Sequence, residues 1–167
     1  MILPGGFSRG QESRLIQFEL EDQFGRLYTE QNWNDSILVI IGADRGGSEF
    51  TGRWGKALLD SIGTSVAGTP VSYVGLSDLD AVPFFMTGLV RSKFPDDPDE
   101  WVLMDWDGEF PDAYHFTEGA TNILVFNLKR ELIHRTAGRE IESGTLDRLI
   151  QSIRSAAGQK PESPTDG

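Results

Sequence analysis

The chain has 167 residues, a length that suits one domain, and 38% of them are apolar, which is enough to fill one core. Its formal net charge of −11 disfavours binding to nucleic-acid phosphates and to anionic membranes. The sequence contains no cysteine, so disulfides, thiolate metal sites and thiol nucleophiles are excluded together. Because we find neither a signal peptide nor a run of about 18 apolar residues, we expect a cytoplasmic protein.

The two ends of the chain carry few folding signals. Three glycines and one proline lie among the first ten residues, and we predict a flexible lead-in over residues 1–13. A second flexible segment is predicted over residues 159–167. Residues 14–158 contain no internal repeat and no linker, so we predict one domain there.

The first half of the domain predicts strands around one helix. Residues 15–20 alternate between polar and apolar side chains, which is typical of a half-buried strand; a turn over residues 22–26 lets residues 27–29 pair back. Residues 37–41 form a continuous β-branched and apolar run, as in a central strand that is buried on both faces. Residues 71–76 predict another apolar strand.

Between these two strands lies a glycine-rich break followed by a predicted helix. Apolar side chains recur there near a 3.6-residue period, at Phe50, Trp54, Ala57, Leu58 and Ile62. Ser48 is predicted to cap the helix by accepting a backbone N–H. Residues 37–76 therefore predict a strand–helix–strand unit.

The second half predicts two further helices and a hairpin. Pro83 suits the first position of a helix over residues 83–94. Residues 105–116 are acidic and have room for a short helix, while residues 123–126 and 131–137 predict an antiparallel hairpin. A final amphipathic helix is indicated by Leu146, Leu149, Ile150 and Ile153.

Three sequence segments resemble those of the thioredoxin-like superfamily, in its redoxin and thiol–disulfide oxidoreductase branch. They are LEDQFGRLYT, SILVIIGADRGGSEFTGRWGKAL and GATNILVFNLKRELIHRTAGR. The second is similar to the family's central strand, active-site loop and helix, and the third to its final hairpin. The resemblance covers residues 15–157 and implies an α/β fold: a three-layer α/β/α sandwich with a mixed central sheet.

The resemblance also implies where a redox site would lie, and this chain departs from the family there. The family's Cys-x-x-Cys pair falls on Gly46, Gly47, Ser48 and Glu49, none of which is cysteine. A serine hydroxyl is far less acidic than a thiol and has no reversible two-electron couple. The family's cis-proline falls on Thr121, where a cis bond would cost about 3 kcal/mol, so we predict a trans peptide. Both halves of the redox site are absent.

Two polar segments are candidates for a ligand site. Asp44 and Arg45 precede a helix N-terminus that could bind an anion or other ligand; the alternative is a helix entry with no ligand. Asp105, Asp107 and Glu109 have the first spacings of a calcium loop, but Phe110 stands where such a loop needs glycine. We predict no metal and no cofactor, and a solvated acidic surface instead.

The segment 83–116 is rich in aromatic residues and is treated as an insert. Its candidate interface residues are Phe84, Phe85, Met86, Trp101, Trp106 and Phe110. They are explained either by core packing or by an exposed patch for a partner or a second copy. The two histidines, His115 and His134, have no zinc-ligand spacing and are interpreted as structural or surface residues.

Two functional hypotheses follow. The first is a non-catalytic, redox-inactive thioredoxin-like protein that binds a protein partner or serves as a scaffold. The second is an enzyme of another class that acts on a small molecule at residues 44–48 or at the acidic insert. A flat apolar patch over residues 84–106 favours the first, and a deep pocket that joins Asp44, Arg45 and carboxylates favours the second.

Overall fold

A computed structural model describes residues 12–158 of the chain. The predicted tail over residues 159–167 lies outside the described residues, as does all of the predicted lead-in except residues 12 and 13, so both stay predictions. Among the helices of residues 12–158, none has the length and apolar character that a membrane crossing requires.

The centre of the molecule is a mixed sheet. Its strands are β1 (Glu19–Asp22), β2 (Leu27–Thr29), β3 (Ile37–Ala43), β4 (Ser65–Val66), β5 (Thr69–Asp78), β6 (Leu103–Asp105), β7 (Thr121–Phe126) and β8 (Leu132–Gly138). The spatial order is β2-β1-β6-β5-β3-β7-β8, and β4 pairs with β5. β5 runs parallel to both β3 and β6, while β7 and β8 form the predicted antiparallel hairpin.

Residues 12–158 form four α-helices. They are α1 (Ser48–Ile62), α2 (Thr87–Arg91), α3 (Glu109–Tyr114) and α4 (Ser143–Ala157), with 3₁₀ turns at Glu30–Trp33 and Phe84–Met86. The predicted first and last helices are thus confirmed, as is a short helix in the acidic segment.

The core has two halves, one on each face of the sheet, and β3 contributes to both. Ile37 and Val39 pack toward α1 and α4, whereas Leu38 and Ile40 pack toward α3 and the residues that precede β1. All four side chains are fully buried. The apolar run of β3 is explained by burial on both faces, and the predicted three-layer α/β/α arrangement is confirmed.

The predicted strand over residues 15–20 is wrong in its first part, because only its last two residues belong to β1. The backbone N–H of Leu15 donates to the Arg130 carbonyl, and that of Ile16 donates to the Tyr114 hydroxyl. These bonds tie the segment to the β7–β8 turn and to α3 rather than to a neighbouring strand. Phe18 is nevertheless buried, as the alternation predicts.

The turn between β1 and β2 is held by the buried carboxylate of Asp22. It accepts the backbone N–H groups of Phe24, at 2.8 Å, and Arg26, at 3.0 Å, and the Arg26 Nε at 2.6 Å. Burial by itself raises the pKa of Asp22, but the Arg26 side chain and the two N–H groups together lower it. This turn, predicted over residues 22–26, is confirmed.

The predicted helix over residues 83–94 is too long. Pro83 has an extended backbone with ψ of 141°, the 3₁₀ turn Phe84–Met86 follows, and α2 spans only Thr87–Arg91. Helices in proteins are stabilised mainly by burial of an apolar face. Phe84, Phe85 and Leu89 of this segment are exposed, so much of that stabilisation is missing.

Candidate functional site

The loop between β3 and α1 meets the start of β7. Gly47 stands at the N-cap of α1, and its carbonyl oxygen accepts the Thr121 hydroxyl at 3.4 Å. The two positions that the resemblance assigned to the redox site are therefore in contact. The peptide bond before Thr121 is trans, as predicted.

Gly47 has no space for a side chain. A Cβ atom there would lie 2.2 Å from the Ala120 carbonyl oxygen and 2.5 Å from the carbonyl carbon. Both are backbone atoms at the entry to the buried strand β7, so they have little freedom to move away. Position 47 is thus closed to any side chain by packing.

Asp44 holds this loop against the turn before β7. Its carboxylate accepts the Gly47 N–H at 2.9 Å and the Gly119 N–H at 2.9 Å. The predicted cap by Ser48 is wrong, because the Ser48 hydroxyl donates to the Arg45 carbonyl instead. A carboxylate already occupies the positive end of α1, which weighs against an anion there.

A cleft of about 890 Å³ opens beside the loop. Its walls are the β3–α1 loop, residues 77–83 at and after the end of β5, residues 86–95 around α2, and residues 116–118. The volume falls within the range of sites that hold small ligands or polypeptide side chains.

Acidic side chains outnumber basic ones in the cleft. Four carboxylates line it, from Asp44, Asp78, Asp80 and Glu118, together with the two cations of Arg45 and Lys93. With all six ionised, the lining carries a net charge of −2, from four negative and two positive groups.

Asp78, the last residue of β5, lies beside Asp80. The Asp80 N–H donates to the Asp78 carboxylate at 3.3 Å. Burial, together with the negative charges of Asp80 and Asp105, raises the pKa of the Asp78 carboxyl to about 6. Its charge therefore changes close to neutral pH, which is unusual for a carboxyl group.

An aromatic rim, defined here as Phe84, Phe85 and Leu89, belongs to the segment that forms one wall of the cleft, and of the three side chains Leu89 lines the cleft. These side chains are 87%, 75% and 55% exposed, and the two phenylalanine rings meet edge to face with centroids 5.7 Å apart. Phe84 and Phe85 lie between Pro83 and Met86, both of which line the cleft. Core packing is therefore the wrong interpretation for these two phenylalanines.

The six candidate interface residues do not form one surface. Phe110 is fully buried and packs against Phe18, with ring centroids 5.2 Å apart. Trp101 is partly buried and stacks on Tyr28 at 4.5 Å. Trp106 is also partly buried. Of the six, Met86 lines the cleft, and Phe84 and Phe85 adjoin it in sequence.

Proteins of known structure share this architecture. The chain superposes on the pneumococcal exposed lipoprotein thioredoxin Etrx1 from Streptococcus pneumoniae strain TIGR4 with a TM-score of 0.59 and 14% identity, covering 81% of this chain and 98% of that one. The superposition on a putative thiol:disulfide interchange protein DsbE from Chlorobium tepidum has a TM-score of 0.57 and 15% identity, and it covers 90% of this chain and 100% of that one. The superposition on yeast Sco1 with copper bound has a TM-score of 0.56 and 17% identity, and it covers 94% of this chain and 99% of that one.

The fold is thioredoxin-like. No protein-family model and no curated protein matches the sequence. The likeness at these identities concerns the fold, while the chemistry has to be argued from the side chains of this chain. Since it contains no cysteine, this thioredoxin-like domain cannot carry out thiol–disulfide exchange.

The acidic insert of the thioredoxin-like domain is in part structural. Asp105 is fully buried and accepts the N–H groups of Glu109 and Phe110, each at 2.9 Å, at the start of α3. The predicted solvated acidic surface is therefore wrong at this residue. Within residues 12–158, no group of three or more histidine or acidic side chains is arranged to hold a metal ion.

The histidines lie away from the cleft lining. The Nδ1 atom of His134 lies 3.0 Å from the Ser152 hydroxyl, and burial together with the charge of Arg148 lowers the pKa of the ring. His115 ends α3 with a left-handed φ of 51°.

Asp78, Asp80 and Lys93 are site residues that the sequence prediction missed. A signal for the first was present, because parallel strands end at the same edge of a sheet. Ala43 at the end of β3 pairs with Ser77 in β5, so Asp44 and Asp78 follow adjacent positions. The place of Lys93 depends on where the segment around α2 folds back, which no local pattern indicates.

Proposed function

We propose that this thioredoxin-like protein is a redox-inactive binding protein whose cleft takes a segment of a partner polypeptide. The observation that carries the proposal is the exposure of Phe84 and Phe85, which stand between two residues of the cleft lining, Pro83 and Met86. Burying one such side chain stabilises a complex by about 1.5–3 kcal/mol. Aromatic anchors at the edge of a pocket are typical centres of protein interfaces.

The lost redox loop supports binding without turnover. The loop contains no thiol, and the Asp44 bonds and the close approach of Gly47 to Ala120 hold it against the start of β7. A partner segment held there would be bound and released unchanged.

A second copy of the chain is a less favourable occupant. In a symmetric pair the same surface patch contacts itself, so the carboxylates of two clefts would approach one another. The net charge of −11 adds to this repulsion. Light scattering at high micromolar concentration should therefore show a monomer, and a dimer lost on Phe85→Ser would contradict the choice of a distinct partner.

The proposal is tested with a random peptide library displayed on phage and selected on the full-length chain. Enriched peptides are then synthesised, and their affinities are measured by fluorescence anisotropy. The double variant Phe84→Ser/Phe85→Ser should bind them at least about tenfold more weakly, as expected for the loss of an interface anchor. Leu59→Ser is the matched control, because Leu59 is an exposed apolar residue of α1 outside the cleft lining.

Two results would contradict the proposal. One is that no peptide is enriched on the wild-type chain. The other is that the double variant binds the enriched peptides as tightly as the Leu59→Ser control does. Because Phe84 and Phe85 are exposed, both substitutions should leave the fold intact, which circular dichroism checks.

An enzyme acting on a small molecule is a second candidate, favoured by the cleft itself, which joins Asp44 and Arg45 with the carboxylates of Asp78 and Asp80 as this hypothesis predicted. A carboxyl group with a pKa of about 6 can act as a general acid or base near neutral pH. A panel of p-nitrophenyl esters, phosphates and glycosides tests this candidate. Turnover that is lost in Asp78→Asn would support it, and no turnover by the wild type on the panel would count against it.

A further inference from the structure

Resting on the proposed polypeptide-binding function, we infer that the bound segment combines an apolar side chain, which packs on the aromatic rim, with a lysine or arginine side chain, which pairs with the carboxylates of the cleft. The inference thus names the chemistry of the partner. It depends on the geometry of two adjoining surfaces, one apolar and one acidic.

The rim and the cleft share one apolar residue, Leu89. Leu89 belongs to the aromatic rim and also lines the cleft, where Met86 and Val90 adjoin it. A side chain seated on Phe84 and Phe85 would extend this contact inward over about one turn of α2. A segment with an aromatic or long aliphatic residue fits that surface, because its own apolar area leaves water together with the rim.

The acidic surface has unpaired carboxylates. Within residues 12–158, the ion pairs are Asp22 with Arg26, Asp60 with Lys56 and Glu21 with Arg91, none of which involves the cleft. Asp78 and Asp80 thus face the cleft beside each other without a basic partner from the described chain. A cationic side chain entering the cleft would relieve the repulsion between them.

The placement of the two surfaces sets the spacing within the segment. Asp78 and Asp80 are joined to the rim through residues 81–83, which also line the cleft. A basic side chain near the anchor residue can therefore reach the carboxylates while the anchor stays on the rim. An acidic segment would meet the net negative lining and be repelled.

Binding of such a segment should depend on pH through Asp78. The charged groups that act on its carboxyl are Asp80, next but one along the chain, and Asp105 from β6. Across the cleft stand Arg45, Lys93, Asp44 and Glu118. Because the pKa of Asp78 is about 6, its charge is lost as the pH falls below that value, and the attraction for a cation weakens.

The experiment uses the enriched peptides described above, each beside a counterpart in which lysine and arginine are replaced by glutamine. Both are titrated by anisotropy against the full-length wild type and the variant Asp78→Asn/Asp80→Asn. Asp147→Asn is the control, since Asp147 is an exposed acid of α4 outside the cleft lining. All titrations are repeated at pH 7.5 and pH 5.

At pH 7.5 we expect the basic peptides to bind Asp78→Asn/Asp80→Asn at least about fivefold more weakly than wild type. A loss of affinity of that size is expected when one ion pair is removed. The glutamine counterparts should bind wild type and Asp78→Asn/Asp80→Asn with equal affinity. Loss of the carboxylates should therefore weaken binding only when the peptide carries a basic residue, so the effects on affinity of the peptide change and the protein change are not additive. Lowering the pH to 5 should weaken only the basic peptides on wild type.

Two outcomes overturn the inference in different ways. The inference is wrong, and the proposed function stands, if the enriched peptides depend on the aromatic rim but contain no basic residue. The same holds if they bind Asp78→Asn/Asp80→Asn as tightly as wild type. If no peptide depends on the rim, the proposed function fails and the inference fails with it.

Discussion

Replacing Gly47 with alanine should destabilise this protein strongly, although the change adds a single methyl group. The new Cβ would lie 2.2 Å from the Ala120 carbonyl oxygen, 2.5 Å from its carbon and 2.9 Å from its nitrogen. An ordinary contact needs more than 3 Å, so the loop or the start of β7 must shift by about 1 Å. Both are held: Asp44 bonds the loop, and β7 is buried along its length.

The cost has two parts. Overpacking against a well-ordered interior typically costs about 1–3 kcal/mol. The shift also breaks or lengthens the bond from the Thr121 hydroxyl to the Gly47 carbonyl, which adds about 1 kcal/mol. We therefore expect the free energy of unfolding to fall by about 3 kcal/mol, a large share of the stability of an ordinary domain.

Urea denaturation followed by circular dichroism measures this change, with two glycine controls. At Gly46 the nearest atom to a new Cβ is the Gly119 Cα at 3.2 Å, so Gly46→Ala should cost much less. At Gly52, inside α1, no atom lies within 4 Å, and alanine should stabilise by about 0.5–1 kcal/mol. If Gly47→Ala unfolds at the wild-type urea midpoint, the reasoning about a closed redox loop is refuted.

Three further predictions concern charge and chemistry. Asp22→Ala should lower the free energy of unfolding by about 2 kcal/mol at pH 7, because two N–H groups lose their acceptor. The difference should shrink as the pH falls below about 4, because Asp22 of the unfolded chain binds a proton there while the folded carboxylate, with its lowered pKa, still resists it; Asp60→Ala, an exposed control, should stay near wild type. Asp78 binds its proton more tightly in the folded chain, so wild-type stability should fall as the pH rises from 5 to 7. Asp78→Asn should remove that slope in urea midpoints and be more stable than wild type at pH 7.5; an unchanged slope would contradict the burial of Asp78. With dithiothreitol as donor, the purified chain should reduce neither insulin disulfides nor hydrogen peroxide faster than buffer, and a rate above buffer would refute the loss of redox chemistry.

The elements whose signal is local could be predicted. β3 was evident because an apolar run of its length requires burial on both faces. The antiparallel hairpin followed from two apolar runs around a short turn. β6 was not predicted as a strand. Its three residues form a strand only because they pair with β1 and β5, which lie far away in the sequence.

The site was harder to predict because it depends on contacts between distant segments. Asp44, not Ser48, holds the start of α1, since its carboxylate also reaches the Gly119 N–H 75 residues away. Periodicity around residues 83–94 shows that apolar side chains are present but not whether a core lies opposite them. In this fold no core covers Phe84 and Phe85, so they form a rim.

Hydrogen–deuterium exchange of the full-length chain, with and without an enriched peptide, tests the central claim that the cleft is the binding site. The account predicts slower exchange on binding in residues 44–48 and 77–95, the walls and rim of the cleft. Protection confined to the groove between β8 and α4, which His134, Arg148 and Ser152 line, would contradict it.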